Sequence, residues 1–432
     1  MGAINLIQIE KKDKTVLYHF RADEDLQSFF SDFPFQIEYP DKIETVPDAV
    51  LAVPFVCNVL PIIWLEDAVL HLPELDEDFY CSIPEFKKGY IDMFPDADFK
   101  GTIHADRIVN CNRSSSGKTA AFFSGGLDAT TTLLRHLDER PDLISIWGSD
   151  VEYENCDGWM PINKIIEETA SEFQVNHITI HSSFRQFDRE DVLERKYHQY
   201  LHDGWWHDIK HGIALIGHSA PYVWLHRIKT VYIASSNCPE AGKVICASDP
   251  SIDNCVRFCG SKVIHDGYEM SRQDKVDYVV AYQRNNPQRK IRLHVCWESK
   301  DGNNCCHCEK CYRTITAILI EEGNPKDFGF DTDISILKRI YRKMALEYTY
   351  PGNTPIEWQH IKRKMIQKNS SLIDKTYYND LKWIATFDFF HPEKNRRRRL
   401  YNIMHLTGIR KKLSKLVLYQ KTKRRYIDDK GK

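Results

Sequence analysis

The chain has 432 residues, and 59 Lys and Arg against 61 Asp and Glu give a formal net charge of -2. This balance excludes an overall attraction to nucleic acid, so any electrostatic partner must bind a local patch. Hydrophobic residues make up 42% and charged residues 28%, which is typical of a globular protein, and the length predicts two or three domains.

The longest apolar run, from Val50 to Leu65, is interrupted by Pro54, Asn58 and Pro61 and is shorter than a bilayer requires. We therefore expect this run to lie in the core. The first residues, MGAINL, show no secretion signal, and thirteen cysteines without such a signal favour thiols and metal ligands over a disulfide framework. Together these features predict a cytoplasmic protein.

Residues 1–110 alternate short apolar runs with acidic turns and include one helical pattern near Ser82 to Phe94. They predict a small α+β domain that serves as a scaffold or binds a partner. The polar segment that follows is predicted to be a linker. Its Gly117-Lys118-Thr119 does not complete a Walker loop, because Asn112 stands where that loop needs glycine.

The stretch that carries the clearest chemistry begins with an apolar run, Ala120 to Phe123, and passes through Ser124-Gly125-Gly126-Leu127-Asp128 into a helical pattern. This pattern predicts a strand, a tight turn and a helix start. Adjacent glycines allow a ligand to approach the backbone, and helix N-terminal amides attract phosphate. The carboxylate of Asp128 suits such a site if Mg²⁺ accompanies the phosphate. The stretch predicts a nucleotide site with its metal, and an ordinary glycine-rich turn of a doubly wound sheet is the alternative.

This turn resembles the SGGxDS signature of the PP-loop ATP pyrophosphatases, which release pyrophosphate and leave AMP on a substrate oxygen. Five of the six positions match, and Ala129 stands where the family usually has serine. We expect either that Thr130 or Thr131 replaces the missing hydroxyl or that activity is reduced. The resemblance implies that Ser124 to Asp128 bind ATP and Mg²⁺, with Ser124 and Asp128 as the catalytic residues.

Residues 118–323 alternate predicted strands (Leu143 to Ser149, His177 to His181, Thr230 to Ser235) with helices, one of which is expected to open at Pro161. This alternation predicts an α/β fold with a doubly wound parallel sheet, in which ligands bind at the carboxyl ends of the strands. The loop Trp147-Gly148-Ser149-Asp150 would then lie beside the phosphate turn. The family resemblance implies that this loop binds the adenosine; a plain turn at the strand end is the alternative.

Histidines and tryptophans are dense between Leu201 and Tyr222, where they could line a pocket for a planar heterocycle or simply pack between helices. The polar loop from Cys238 to Cys259 is predicted to cover a substrate. Ser271 and Asp274 are predicted to cap the next helix. The candidate substrate residues are Trp206, His207, His218, Asp249 and Arg313.

The second motif is a cysteine cluster with the spacing C-x8-C-x2-C-x2-C, formed by Cys296, Cys305, Cys308 and Cys311. Two-residue turns bring sulfur atoms close enough to share one ion, and four thiolates suit tetrahedral Zn²⁺. We predict a structural zinc site. An iron–sulfur cluster would use similar ligands, and the spacing alone does not separate the two.

A PP-loop motif followed by this cysteine pattern and by Arg313 is similar to the 7-cyano-7-deazaguanine synthase (QueC) family, over about residues 118–323. The resemblance implies ATP-dependent adenylation of 7-carboxy-7-deazaguanine, followed by amide and nitrile formation with ammonia. QueC-like proteins with added domains also occur in bacterial anti-phage systems, and a protein amine is an alternative acceptor. The segment Gly217 to Pro221 lacks the Arg-Asn pair expected of the family. An RNA-thiolating enzyme and a non-catalytic nucleotide-binding subunit of a defence complex are the other hypotheses.

Residues 324–432 are predicted to form a helical extension, with helices over Ile334 to Leu346, Ile356 to Gln367 and Tyr377 to Phe390. Its end is strongly basic, and such segments attract phosphate backbones. We expect this end to bind tRNA or a protein partner, with a solvated basic helix as the alternative. The basic runs are Arg396 to Arg399, Arg410 to Lys412 and Lys421 to Arg425.

Overall fold

The computed structural model describes residues 2–403, apart from residues 115, 243, 297, 300 and 301. The chain divides into two compact units. The first comprises residues up to Cys305 together with Asp327–Gly329, and the second comprises Cys306–Lys326 and the chain from Phe330 onwards. The first unit thus contains the whole of the predicted N-terminal region and most of the predicted α/β region.

An eleven-stranded sheet organises the first unit, in the order β10-β11-β9-β6-β7-β8-β3-β2-β1-β4-β5. Six of its neighbouring pairs are parallel, which confirms the predicted α/β class with a mostly parallel sheet. The strands are β1 (Ala3–Lys12), β2 (Thr15–Ala22), β3 (Gln36–Glu38), β4 (Val69–Asp76), β5 (Thr102–Val109), β6 (Thr119–Phe122), β7 (Asp142–Trp147), β8 (His177–Ser182), β9 (Thr230–Ala234), β10 (Arg257–Phe258) and β11 (Ser261–Asp266).

The helices of this unit connect or cover the strands. They are α1 (Glu24–Gln27), α2 (Asp48–Leu65), α3 (Glu77–Met93), α4 (Leu127–Arg135), α5 (Cys156–Phe173), α6 (Glu190–Tyr197), α7 (His211–His218), α8 (Ala220–His226), α9 (Pro250–Asp253) and α10 (Arg272–Asn285). A π-type helical turn, Trp206–Lys210, precedes α7.

The strand order reverses at β6, because the chain passes from β6 to β7 and β8 on one side and then returns to β9 and β11 on the other. This order is compatible with a doubly wound fold. All four residues of β6 are buried, as expected for a parallel strand that is covered on both faces.

The strands of residues 1–110 belong to the same sheet. β3 pairs antiparallel with β8, so that Ile37 lies opposite Ser182 and Glu38 opposite His181. The region predicted as a separate α+β domain is therefore joined to the predicted α/β region by backbone hydrogen bonds along a strand edge.

Helix α2 contains the apolar run that was expected in the core. It is the one helix among the described residues that is long and apolar enough to cross a membrane, and 89% of it is buried. Burial on every face is what a core helix shows. Pro54 and Pro61 lie inside the helix instead of interrupting it, and the side chain of Asn58 donates to the Pro54 carbonyl at 2.8 Å.

N-cap residues determine where two of the helices begin. The capping box at Ser271 and Asp274 is present at the start of α10, as predicted. The predicted start of α5 at Pro161 is wrong, because the helix begins at Cys156, where Asn155 accepts a hydrogen bond from the Gly158 amide at 2.9 Å. The cap decides the start, and Pro161 is tolerated within the helix.

The second unit is helical around an aromatic core that includes Trp358, Trp383 and Phe389. Its helices are α11 (Glu309–Ile320), α12 (Ile336–Ile340), α13 (Thr354–Gln367), α14 (Asn369–Leu372), α15 (Tyr378–Leu381) and α16 (Trp383–Thr386). The helix predicted over Ile334 to Leu346 widens into a π-type turn at Tyr341–Glu347, and the one predicted over Tyr377 to Phe390 is broken into α15 and α16.

The predicted basic end is only partly described. Arg398 is buried, and its guanidinium donates to the Tyr348 carbonyl at 2.6 Å, so this arginine supports the helical unit itself. The basic runs Arg410 to Lys412 and Lys421 to Arg425 lie outside the described residues.

Candidate functional site

The turn from Ser124 to Asp128 connects β6 to α4, as the sequence predicts. Gly125 has a φ of +76°, in the left-handed region that favours glycine, and Gly126 is the N-cap of α4 with a φ of -72°. Ser124 is exposed. The first amides of α4 therefore begin next to a turn that solvent, or a ligand, can reach.

The position of this turn in the sheet is the one that binds ligands in doubly wound folds. β6 lies between β7 and β9, and the connections that leave β6 and β9 diverge to opposite sides. Such a divergence opens a crevice at the carboxyl ends of the two strands. The Ser124 turn follows β6 and the segment that begins at Ser235 follows β9, so both border this crevice.

The carboxylate of Asp128 is paired with two cations of α10. One oxygen accepts from Arg272 Nη1 at 2.9 Å and the other from Lys275 Nζ at 3.0 Å. Lys275 also donates to the Ser235 carbonyl and has a side chain that is only 2% exposed. Two cations of α10 therefore lie beside the turn, and such cations attract an anionic ligand.

These cations bear on the metal expected at Asp128. A Mg²⁺ ion at this carboxylate would compete with Arg272 and Lys275, and both side chains can neutralise phosphate charge themselves. The chemistry of the turn fits a triphosphate, while the metal role of Asp128 stays a prediction. Sequence reasoning missed Arg272 and Lys275. The capping box was the available signal, because it places both residues in the first turn of a helix that follows a parallel strand.

The two threonines expected to replace the family's serine are both buried. Thr131 donates its hydroxyl to the Leu127 carbonyl at 2.9 Å, within α4. The hydroxyl of Thr130 has no hydrogen-bond partner among the described residues, and its residue is 1% exposed. Of the two, only the Thr130 hydroxyl could donate a hydrogen bond to a ligand, and a ligand could reach it only after local rearrangement.

The predicted adenosine loop follows β7 and is held firmly. Gly148 has a φ of +112°, and a Cβ there would lie 1.8 Å from the Ser182 carbonyl oxygen. The Ser149 hydroxyl donates to the Ile146 carbonyl at 2.8 Å, and Ser149 O accepts from Arg185 at 3.0 Å. Asp150 is exposed at the tip. A rigid loop beside the phosphate turn suits a bound nucleoside, and its role stays a prediction.

An aromatic stack supports this loop. The ring of His181 lies between Trp147 and Tyr153, with centroid distances of 3.8 and 3.9 Å. Burial lowers the pKa of His181, which keeps the ring neutral between its aromatic neighbours. One face of Trp147 is therefore already occupied.

Two predicted substrate residues have internal roles. His218 is fully buried, its ring hydrogen-bonded to the Ala214 carbonyl at 2.5 Å and to the Ser182 hydroxyl at 2.8 Å. Burial lowers its pKa to about 4, so it is neutral. Asp249 caps α9 by accepting from the Ser251 amide at 2.8 Å. The structure therefore favours structural roles for these two side chains over the expected contact with a substrate.

The remaining candidates are Trp206 and His207, which are neighbours in the first unit, and Arg313, which belongs to the second unit. Trp206 stacks under the Arg185 guanidinium at 4.4 Å, and His207 pairs with Asp208. Arg313 belongs to the second unit, where it is buried and forms ion pairs with Glu309 at 3.3 Å and Glu357 at 3.1 Å. Its charge is thus satisfied within its own unit.

The four cysteines predicted to bind zinc do come together. The sulfur atoms of Cys296, Cys305, Cys308 and Cys311 all lie within 4.8 Å of one another. Cys308 is also the N-cap of α11, and its sulfur accepts from the Cys311 amide at 3.4 Å, which favours a thiolate. This cluster could hold a metal ion, and the short separations fit a single tetrahedral zinc. Glu298 and His307 form a second, more exposed grouping with Cys305.

The segment before Cys296 is hydrogen-bonded to the turn from Ser124 to Asp128. The amide of His294 donates to the Gly125 carbonyl at 2.8 Å. The side chain of Asn304 holds both sides of this residue, donating to Leu293 O at 2.7 Å and accepting from Val295 N at 3.0 Å. The cysteine cluster and the turn are thus connected through three residues of backbone.

Comparison of the chain with protein-family models, curated proteins and solved structures finds no match.

Proposed function

We propose that the protein is an ATP-dependent enzyme that adenylates a carboxylate and passes the acyl group to an amine. The observation that carries the proposal is the glycine turn at the strand-order reversal, with Arg272 and Lys275 beside it. A turn of this kind at this place suits a phosphate chain. The two cations suit a leaving group that gains negative charge.

The residues of the chain would act mainly by position and charge. Amides at the start of α4 donate to phosphate oxygens, while Lys275 and Arg272 stabilise the pyrophosphate as it leaves. A substrate carboxylate oxygen attacks the α-phosphorus, and the bond to the β-phosphate oxygen breaks. Mg²⁺, when bound with ATP, would neutralise further phosphate charge. The products are an acyl adenylate and pyrophosphate, and an amine then displaces AMP.

The substrate class follows from the sequence resemblance to the QueC family. It implies 7-carboxy-7-deazaguanine or a related deazapurine as the carboxylate, and ammonia or a protein amine as the acceptor. A protein amine would give a conjugate in place of the free amide or nitrile.

The test is to incubate the full chain with ATP, 7-carboxy-7-deazaguanine and ammonium, and to measure AMP by chromatography and the product by mass spectrometry. We expect AMP in proportion to a new amide, and loss of both in Asp128→Asn and Lys275→Ala. Lys88→Ala, at an exposed position on α3, is the matched control and should keep full activity. Absence of AMP, with no change in substrate mass, would rule out this substrate.

A non-catalytic nucleotide-binding subunit is the second candidate. The pairing of Asp128 with two cations, together with Ala129 and the buried Thr130, favours it. ATP binding measured by calorimetry, with no AMP found by chromatography, would support this candidate.

RNA thiolation is tested by substituting Cys306, which is not one of the four clustered cysteines. Loss of activity with zinc retained would favour sulfur transfer.

A further inference from the structure

A second group of reactive side chains lies around His207, in the π-type turn before α7. His207 Nδ1 is 2.8 Å from Asp208 Oδ1. The Asp208 side chain is fully buried, and its other oxygen accepts from the amides of His202 at 2.5 Å and Asp203 at 2.9 Å. A carboxylate fixed by two amides holds the imidazole in one orientation and stabilises its protonated form.

Cys246 lies against the same imidazole. It belongs to the long segment that leaves the carboxyl end of β9, and its thiol is close enough to His207 and His211 for both imidazoles to act on its pKa. The next amide, of Ala247, donates to the His207 carbonyl at 3.1 Å, so that the two segments are also joined through backbone. The cysteine is 5% exposed, while the His207 side chain is 38% exposed and gives the group a face towards solvent.

The charges of this group distinguish Cys246 from other buried cysteines. Burial acts to raise its pKa, but the hydrogen bonds from His207 and His211 outweigh it and lower the pKa to about 6. Hydrogen bonds with Asp208 and Cys246 raise the pKa of His207 to about 10. Burial alone raises the pKa of Cys57, which has no such partners. The pair is therefore a thiolate beside an imidazolium at neutral pH.

A metal site explains this group less well than a nucleophile does. Among the described residues, the groups close enough to share a metal ion lie between Cys296 and Cys311, and Cys246 is in neither. Thiols that attack a carbonyl are instead activated by a neighbouring histidine, which is in turn held by an aspartate. Cys246, His207 and Asp208 follow this order.

We propose that Cys246 is the nucleophile of an acyl-transfer centre in which His207 is the base and Asp208 is a positioning residue. Its substrates are activated acyl compounds, and this part rests on the proposed function, because the acyl adenylate formed at the Ser124 turn is such a compound. β9, which leads to Cys246, is the sheet neighbour of β6, which leads to Ser124. Both segments thus leave the same edge of the sheet.

The transfer needs only the acyl adenylate, the amine and water. The thiolate attacks the carbonyl carbon of the acyl adenylate; the C–S bond forms, the C–O bond to phosphate breaks, and AMP leaves with the electron pair. Once the thiolate charge is gone, His207 gives its proton to water. The amine then attacks the thioester, the C–N bond forms, the C–S bond breaks, and His207 takes the proton from the amine nitrogen. The thiolate and imidazolium are restored.

The experiment uses two probes that do not depend on adenylation. The full chain is first treated with iodoacetamide at pH 7, and alkylation of each cysteine is followed by peptide mass spectrometry. We expect Cys246 to react at least about tenfold faster than the exposed Cys81, because a thiolate is the reacting species. His207→Gln should remove this advantage and leave Cys81 unchanged.

The second probe is p-nitrophenyl acetate. We expect a burst of one nitrophenolate per chain and a single acetyl group on Cys246, released by hydroxylamine and lost in Cys246→Ala. Asp208→Asn should keep the burst but shift its pH profile upwards, which a purely structural role would not do. Cys81→Ala is the matched control, and equal melting temperatures establish that the variants fold.

The outcomes separate this inference from the proposed function. Slow alkylation of Cys246, or an acetyl group that forms elsewhere, overturns the acyl-transfer centre even when AMP is produced from ATP. A burst at Cys246 with no AMP from any carboxylate supports the centre and overturns adenylation. With both activities present, a Cys246→Ala variant that still makes the amide at the full rate overturns the thioester step.

Discussion

The backbone amide of His294 donates a 2.8 Å hydrogen bond to the carbonyl oxygen of Gly125. His294 lies two residues before Cys296, the first of the clustered cysteines, and Gly125 is the residue with left-handed backbone in the turn from Ser124 to Asp128. An ion held by the four sulfur atoms would therefore fix one end of the segment that supports the turn. The metal and the nucleotide should influence each other without sharing a ligand.

Loss of the metal should weaken ATP binding. Cys308→Ser removes one thiolate but keeps an N-cap acceptor for α11, so that helix capping is preserved. We expect zinc content to fall and the Kd for ATP to rise about tenfold, the size of effect seen when support around a metal site is lost. Metal analysis and calorimetry measure both quantities, with Cys81→Ser as the control. A zinc-free variant with unchanged Kd would show that the turn does not depend on the cluster.

The two glycines of the turn should fail in different ways. Gly125→Ala forces a side chain into a φ of +76°, which should lower the free energy of unfolding by about 1–2 kcal/mol. Gly126→Ala has a φ of -72°, and its Cβ would lie 3.4 Å from Ser124 Oγ, so stability should change little. ATP binding should nevertheless weaken, because the methyl group stands where phosphate approaches the helix start. Chemical denaturation and nucleotide titration of both variants separate the effects, and equal stabilities would contradict the strain at Gly125.

The ion pair of Asp128 and Lys275 should be needed for stability as well as activity. Asp128→Asn leaves a lysine whose side chain is 2% exposed without its carboxylate, which should cost about 3 kcal/mol of unfolding free energy. Adding Lys275→Met should recover part of this loss but restore no AMP formation. Urea unfolding of the two single variants and the double variant measures the coupling. Additive losses would mean that the two side chains do not interact.

The reactivity of Cys246 should have a distinctive pH profile. A thiol with a pKa lowered to about 6 is a thiolate above that pH, so alkylation should already be near its maximum at pH 7 and fall as the pH drops through about 6. The groups that face it are His207 and His211, Asp208 behind His207, and Tyr90 on α3. Rate measurements from pH 5 to pH 9 test this. A rate that rises steadily to pH 9 would contradict it.

Local sequence patterns predicted those structural features whose geometry depends on residues close together in the chain. The turn at Gly125, the capping box at Ser271 and the spacing of the clustered cysteines all depend on residues only a few positions apart. Hydrophobic alternation also located β8, which runs over His177–Ser182. In each of these, short-range geometry and the fold agree.

The contacts that were missed join distant parts of the chain. Asp128 meets Arg272 across 144 positions and Lys275 across 147, and β3 meets β8 across a similar span. No periodicity specifies which strand edge will find which partner, because register depends on the packing of the whole sheet. His207 was a candidate substrate residue and Cys246 lies in the predicted substrate-covering loop, but Cys246 itself was not singled out, because nothing local shows that it approaches His207.

The pairing of Ile37 with Ser182 has an evolutionary consequence. A gene fusion that replaced the first hundred codons would have to supply a new strand whose length and register fit the edge of β8. Otherwise that edge would be left unpaired and could associate with other chains. Exchange of this portion between unrelated genes should therefore be rare. The two halves of the sheet are therefore expected to be inherited together.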